Sequence, residues 1–158
     1  MADLTTLLNF EGNLENHFLT YLSNNISTPA VQFATPLNTA ELEVPRLEIE
    51  IQANGAMDNL QYVLNAGGDK QEYLDYNVDL IIGIVTDNNT NTQAQHRSIR
   101  NQVRALLTRN GSFNTGLNYY AIRYLRNSQT SYDVSGEFNI STLVYTIVLS
   151  IKPEEWPA

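Results

Sequence analysis

The chain has 158 residues, 42% of them hydrophobic, with a formal charge of -8 and an isoelectric point near 4.6. That length suits one domain over residues 1–158, with a core large enough to fold without staples. The lack of cysteine excludes a disulfide framework, a thiolate zinc site and a cysteine nucleophile. No apolar run approaches the ~20 residues that span a bilayer, and Asp3 stands where a secretory signal would carry a base. The expectation is a protein made and kept in the cytoplasm, without a membrane partner.

The charge is divided along the chain. Residues 1–90 hold 13 of the 17 acids and only Arg46 and Lys70 as strong bases, a balance of -11; residues 91–158 hold 4 acids and 7 bases, a balance of +3. Between Asn88 and Tyr132 there is no Asp or Glu, while Arg97, Arg100, Arg104, Arg109, Arg123 and Arg126 all fall there. Such polarity favours head-to-tail contact between copies, acid facing base. A solvated face is the competing reading.

Over residues 3–22, Leu4, Leu7, Leu8, Leu14, Phe18, Tyr21 and Leu22 recur at spacings of three, four and seven, the period of an amphipathic helix. Asp3 suits its start and Ser23-Asn24-Asn25 its end. Gly12-Asn13 predicts a bend or a start near Gly12, because an interior glycine costs about 1 kcal/mol against alanine. From 26 to 44 the pattern fades around Pro29 and Pro36, giving a long loop with one apolar patch at Val31 to Phe33, a candidate short strand. Loops of this length in compact domains usually have a use, here reaching a neighbour.

Leu47, Ile49 and Ile51 alternate with Arg46, Glu48, Glu50 and Gln52, a half-buried strand with a charged outer face. A turn at Asn54-Gly55 and a strand from Leu60 to Leu64 predict a hairpin with it, followed by a turn at Ala66-Gly67-Gly68-Asp69. Next, Tyr76, Val78, Leu80, Ile82 and Ile84 point one way, with Asn77, Asp79, Ile81, Gly83 and Val85 opposite. That opposite row turns from polar to apolar, which predicts a strand running from a rim into covered interior.

After an Asn/Thr-rich loop at 87–91, Thr92 and Gln95 form a capping-box pattern for a helix. Its apolar face is Ile99, Val103, Leu106 and Leu107; Arg97, Arg100 and Arg104 lie within about 60° of one another on another face at 100° per residue. Asn110-Gly111 suits its stop. Tyr119 to Leu125 and Tyr132 to Val134 predict two short strands with a turn near Asn127-Ser128, and Phe138 to Ile151 one long β run that could bend or bulge. The tail at 152–158 places Trp156 between prolines, where it would dock on this domain or on another subunit. The fold class is therefore α+β, an antiparallel or mixed sheet with two main helices on one side.

The search for chemistry finds no HExxH, GxSxG, P-loop or dinucleotide glycine pattern. His17 and His96 suit structural roles better than catalytic ones. Glu48 with Glu50, and Asp75 with Asp79, could gather carboxylates if their strands are neighbours, for acid-base work or a divalent ion. The outer face of a strand is the plainer account. The reading is no enzyme, no cofactor and no metal. The acid-free arginines at 97–126, with Tyr119, Tyr120 and Tyr124, could instead touch phosphates and bases, against the acidic overall balance.

Taken together, the chain resembles the tail terminator (tail completion, or neck) proteins of tailed bacteriophages. The resemblance is carried by Phe10-Glu11 and His17-Phe18-Leu19 in the first helix, and by Val44-Pro45-Arg46-Leu47. It is carried above all by Ile84-Val85-Thr86-Asp87, His96-Arg97 and Val103-Arg104-Ala105-Leu106-Leu107, with the final run at Ile147 to Ile151. The 26–44 segment and the Asn-rich character depart from that pattern and leave a related neck or minor tail role open. The resemblance implies a structural virion protein of the tail-neck region, forming a homo-oligomeric ring, usually a hexamer. Its partners would be the tail tube protein and the head-tail connector or adaptor, with DNA passing through the lumen without specific binding. The expected contact residues are Arg97, Arg100 and Arg104, the acids Glu48 and Glu50, the loop residues Asn88 and Asn89, and Trp156.

Overall fold

A computed structural model of the chain describes residues 10–35, 44–53, 59–64, 70–88, 92–108 and 120–151. In chain order the elements are α1 (Phe10–Asn25), β1 (Gln32–Ala34), β2 (Arg46–Ala53), β3 (Asn59–Leu64), β4 (Lys70–Asp87), α2 (Thr92–Leu107), β5 (Tyr120–Ser135) and β6 (Phe138–Ile151). The two helices and six-stranded mixed sheet make an α+β fold.

The 18-residue β4 is the axis, about 60 Å long at ~3.3 Å per residue. β6 pairs antiparallel with it from Leu74↔Ile151 to Asp87↔Phe138, and β5 pairs antiparallel with β6 at the edge. On the other side of β4, β2 occupies Val78 to Val85 and β3 occupies Lys70 to Asp75. β1 runs parallel to β2 at the far edge, so the apolar patch in the 26–44 segment does become a strand.

Two expectations about pairing fail. β2 and β3 do not form a hairpin with each other; both line the same side of β4, which is long enough to hold two short strands end to end. The two short strands expected across Asn127-Ser128 are one strand, β5, with irregularities at Ile122/Tyr124 and Asn127/Gln129 instead of a turn. Asn127 satisfies the second irregularity, its Nδ2 donating to the carbonyls of Gln129 and Val144. A bulge absorbs the same turn-prone residues while keeping the ladder to β6. The reversal comes later, at Gly136-Glu137, where Gly136 has φ of 59°.

Both helices cover one face of the sheet. α1 runs unbroken through Gly12 and places Leu14, Phe18 and Leu22 on its inner stripe, with Ile26 just beyond; α2 contributes Ile99, Val103 and Leu107. These pack on Leu47, Ile49 and Ile51, on Val78, Leu80, Ile82 and Ile84, and on Leu143, Tyr145 and Ile147. Register puts those strand residues in rows: Ile49 opposes Ile82, which opposes Leu143. The helices are tied together where the Tyr21 hydroxyl donates to the Leu106 carbonyl at 2.9 Å. The strand expected from Tyr76 begins earlier, at Lys70; the expected helix start at Asp3 lies outside the described residues, and α1 is described from Phe10.

The opposite sheet face has no helix over it among the described residues. Asn77, Asp79, Ile81 and Gly83 are half-buried there, and Val85 alone of that row is buried. Among the described residues both helices lie on the other face, and of the interior expected for this row only its apolar end, at Val85, is buried.

Candidate functional site

Chemistry concentrates at the start of α2. His96 occupies the inner stripe of the helix, three residues before Ile99, and is 1% exposed. Its Nδ1 is 2.9 Å from Thr86 Oγ1 and its Nε2 is 2.7 Å from Ser141 Oγ. Thr86 shares the inward parity of Ile84 on β4, and Ser141 lies opposite Ile84 on β6, so the sheet presents a hydroxyl to each ring nitrogen. Ser141 also opposes Tyr132 on β5, whose ring meets the His96 ring edge-on at 5.5 Å between centroids. The Tyr132 hydroxyl donates to Asn139 Oδ1, and Asn139 Nδ2 donates to the Asp87 carbonyl, both at 3.0 Å.

Burial, helped by the nearby Arg100 charge, pushes the His96 pKa below its usual value, so the ring is held neutral. A neutral ring with one donor and one acceptor matches two hydroxyls, each able to do either. Both nitrogens are occupied, which leaves no free lone pair for a metal or a substrate. His96 thus ties α2 to β4 and β6.

Outside this lock lies a cleft of about 190 Å³ lined by Gln93, His96, Arg97, Arg100 and Tyr132. It is smaller than the ~300–1,000 Å³ of pockets that enclose drug-sized ligands. The three arginines expected to face outward are not equivalent. Arg97 is exposed; Arg100 and Arg104 are half-buried, and Arg104 Nη2 donates to Thr130 Oγ1 on β5 at 3.0 Å. Arg100 Nε is buried without a hydrogen-bond partner. Among the described residues the ion pair formed is Arg46 with Glu48 at 2.9 Å, and no carboxylate pairs with Arg97 or Arg100.

The expected acids gather on the uncovered face. Glu48 lies opposite Gly83 and Glu50 opposite Ile81, with Asp79 beside Gln52. Because Gly83 has no side chain, the surface dips there into a depression of about 390 Å³, bordered by Thr35, Glu48, Glu50, Ile81 and Thr142. Glu50 accepts from Gln52 Nε2 at 3.0 Å. Among the described residues no group of three His, Asp or Glu side chains could hold a metal ion. Asn88 is exposed, and its N–H donates to the Glu137 carbonyl at 2.6 Å, tying the end of β4 to the β5–β6 turn. Asn89, Trp156, Arg109 and Tyr119, with the side chains of Asp75, Tyr120, Arg123 and Tyr124, lie outside what is described.

The residues that sequence reasoning missed are Thr86, Ser141, Asn139 and Glu15. The first three carried a signal, being polar residues at inward positions of otherwise apolar rows. Glu15 carried a signal of the same kind, lying three residues before Phe18 and seven before Leu22, at the border of the apolar stripe of α1. Comparison with protein-family models and with curated proteins finds no match for this chain. No described helix is long and apolar enough to cross a membrane.

Proposed function

We propose that this chain is a structural virion protein that assembles into a ring, six-membered as in the tail terminator family it resembles. The ring caps the tail tube and joins it to the head connector. One observation supports this most: arginines with no carboxylate partner among the described residues, on the helix side, and glutamates on the uncovered side sit on different surfaces of one subunit. A contact joining two different patches is heterologous, and heterologous contacts close into rings when the rotation allows. The His96 lock, with both ring nitrogens spent on hydroxyls, suits a scaffold better than a catalyst. Another neck or minor tail role uses the same contact.

The test is particle size in solution combined with electron microscopy. The expected outcome is a six-fold ring, with R97E/R104E remaining folded and monomeric. Rings formed normally by that double variant would refute the arginine contact, and a wild-type monomer at every concentration would refute the ring.

A further inference from the structure

The cleft at the start of α2 is incomplete within one subunit. Its lining brings together two guanidinium groups, an amide from Gln93 and the edge of Tyr132, with no acid among the described residues to balance them. Arg100 Nε, a charged donor withdrawn from water and without an acceptor, is a group that a native protein satisfies with something. The sequence supplies nothing locally, as no Asp or Glu occurs between Asn88 and Tyr132.

The occupant is defined by size and charge. The cleft has room for one small planar anion and its first carbons, but not for a nucleotide. A guanidinium offers parallel N–H groups that match a carboxylate in bidentate geometry. His96 does not compete for the anion, since both of its ring nitrogens are engaged by Thr86 and Ser141. Beside the cleft, Tyr132 and Val134 are 47% and 46% exposed on β5, an apolar border of the kind that excludes water from a charged contact.

We infer that this cleft receives the carboxylate of Glu50 from a second copy of the chain; the inference rests on the ring reading above. Glu50 is the best-placed donor of that carboxylate. It stands on the uncovered sheet face at the edge of the Gly83 depression, and Gln52 alone bonds it among the described residues. Glu48, its neighbour on the same face, is already paired with Arg46. Arg97, exposed at the mouth of the cleft, would then meet the depression as Arg100 takes the carboxylate.

A charge exchange tests this directly, because each subunit in a head-to-tail ring offers its cleft to one neighbour and its Glu50 to the other. R100E alone sets carboxylate against carboxylate, and E50R alone sets guanidinium against guanidinium. In an equimolar mixture an alternating ring of even number restores an opposite pair at every contact. The expected result is that each variant alone sediments as a folded monomer and the mixture recovers particles of wild-type size. E48R, which leaves Glu50 and Arg100 intact, is expected to assemble on its own and not to recruit R100E into its particles. R100Q, which removes the charge without reversing it, is expected to raise the concentration needed for assembly by about tenfold or more. This second variant answers the question even if R100E does not fold. Assembly of R100E, R100Q or E50R at the wild-type concentration overturns the inference and leaves the ring standing, as does a mixture that stays monomeric. A wild-type chain that never assembles overturns both.

Discussion

The carboxylate of Glu15, on α1, accepts the backbone N–H of Ile51, on β2, at 3.0 Å. β1 pairs with β2 only from Arg46 to Glu48, so beyond that point the outer edge of β2 has no strand beside it among the described residues. A helix side chain takes the place of the missing strand. Glu15 is 7% exposed, and its pKa is raised, chiefly by burial, against the Ile51 bond that lowers it; Glu50 and Glu11 raise it further.

This bond predicts opposite effects from two substitutions. E15A leaves the Ile51 N–H without its acceptor and is expected to destabilise the fold by about 1–3 kcal/mol. E15Q keeps an oxygen acceptor and removes the buried charge. A raised folded-state pKa means that the native state holds the proton more tightly, so this group's contribution is full below its ordinary value of 4.5 and is lost as pH rises through the raised value. E15Q should therefore melt higher than the wild type at pH 7, with the difference vanishing near pH 4. Thermal melts across that range measure it, and an E15Q melting point below the wild type's at pH 7 would contradict it.

His96 predicts a slope of the other sign. Its pKa is lowered from 6.5 by burial and by Arg100, so the unfolded chain takes up a proton first as pH falls. The stability it contributes is present above pH 6.5 and is lost as pH drops through the folded value. His17 shifts the same way through burial alone. H96L should flatten part of this slope while lowering stability at pH 7, by about 1–3 kcal/mol for each hydroxyl left unbonded at Thr86 and Ser141. Urea unfolding at pH 7 and pH 5.5 separates the two effects.

Gly136 predicts a backbone effect with no packing component. A Cβ there would meet nothing within 4 Å, but φ of 59° is left-handed. G136A should lose about 1–2 kcal/mol, and G136N less, because asparagine tolerates that conformation. Equal denaturant midpoints for G136A and the wild type would show that the turn relaxes.

The arginines also predict a negative result. With a net charge of -8 and Arg104 bonded to Thr130, the chain should give a flat titration with duplex or single-stranded DNA at low salt. Salt-sensitive binding would revive the nucleic-acid reading of the 97–126 segment.

Residue order by itself determined the elements that obey a simple period. The α2 span, the β6 run and the inward row of Val78, Leu80, Ile82 and Ile84 are as the pattern implies, because burial of one face imposes period 3.6 on a helix and period 2 on a strand. The charge division between acidic and basic halves was equally plain. What only the tertiary structure decided is which partner each element took. Strand pairing uses backbone groups common to every residue, so the sequence at β2 and β3 did not reveal that both would lie along β4. The polar cluster of Thr86, His96 and Ser141 depends on three segments meeting over one sheet row, a register that local pattern does not encode. The arginine stripe shows the same division: its spacing was legible, but the cleft that Arg100 lines with Tyr132 and the bond from Arg104 to Thr130 come from where β5 ends up beside α2.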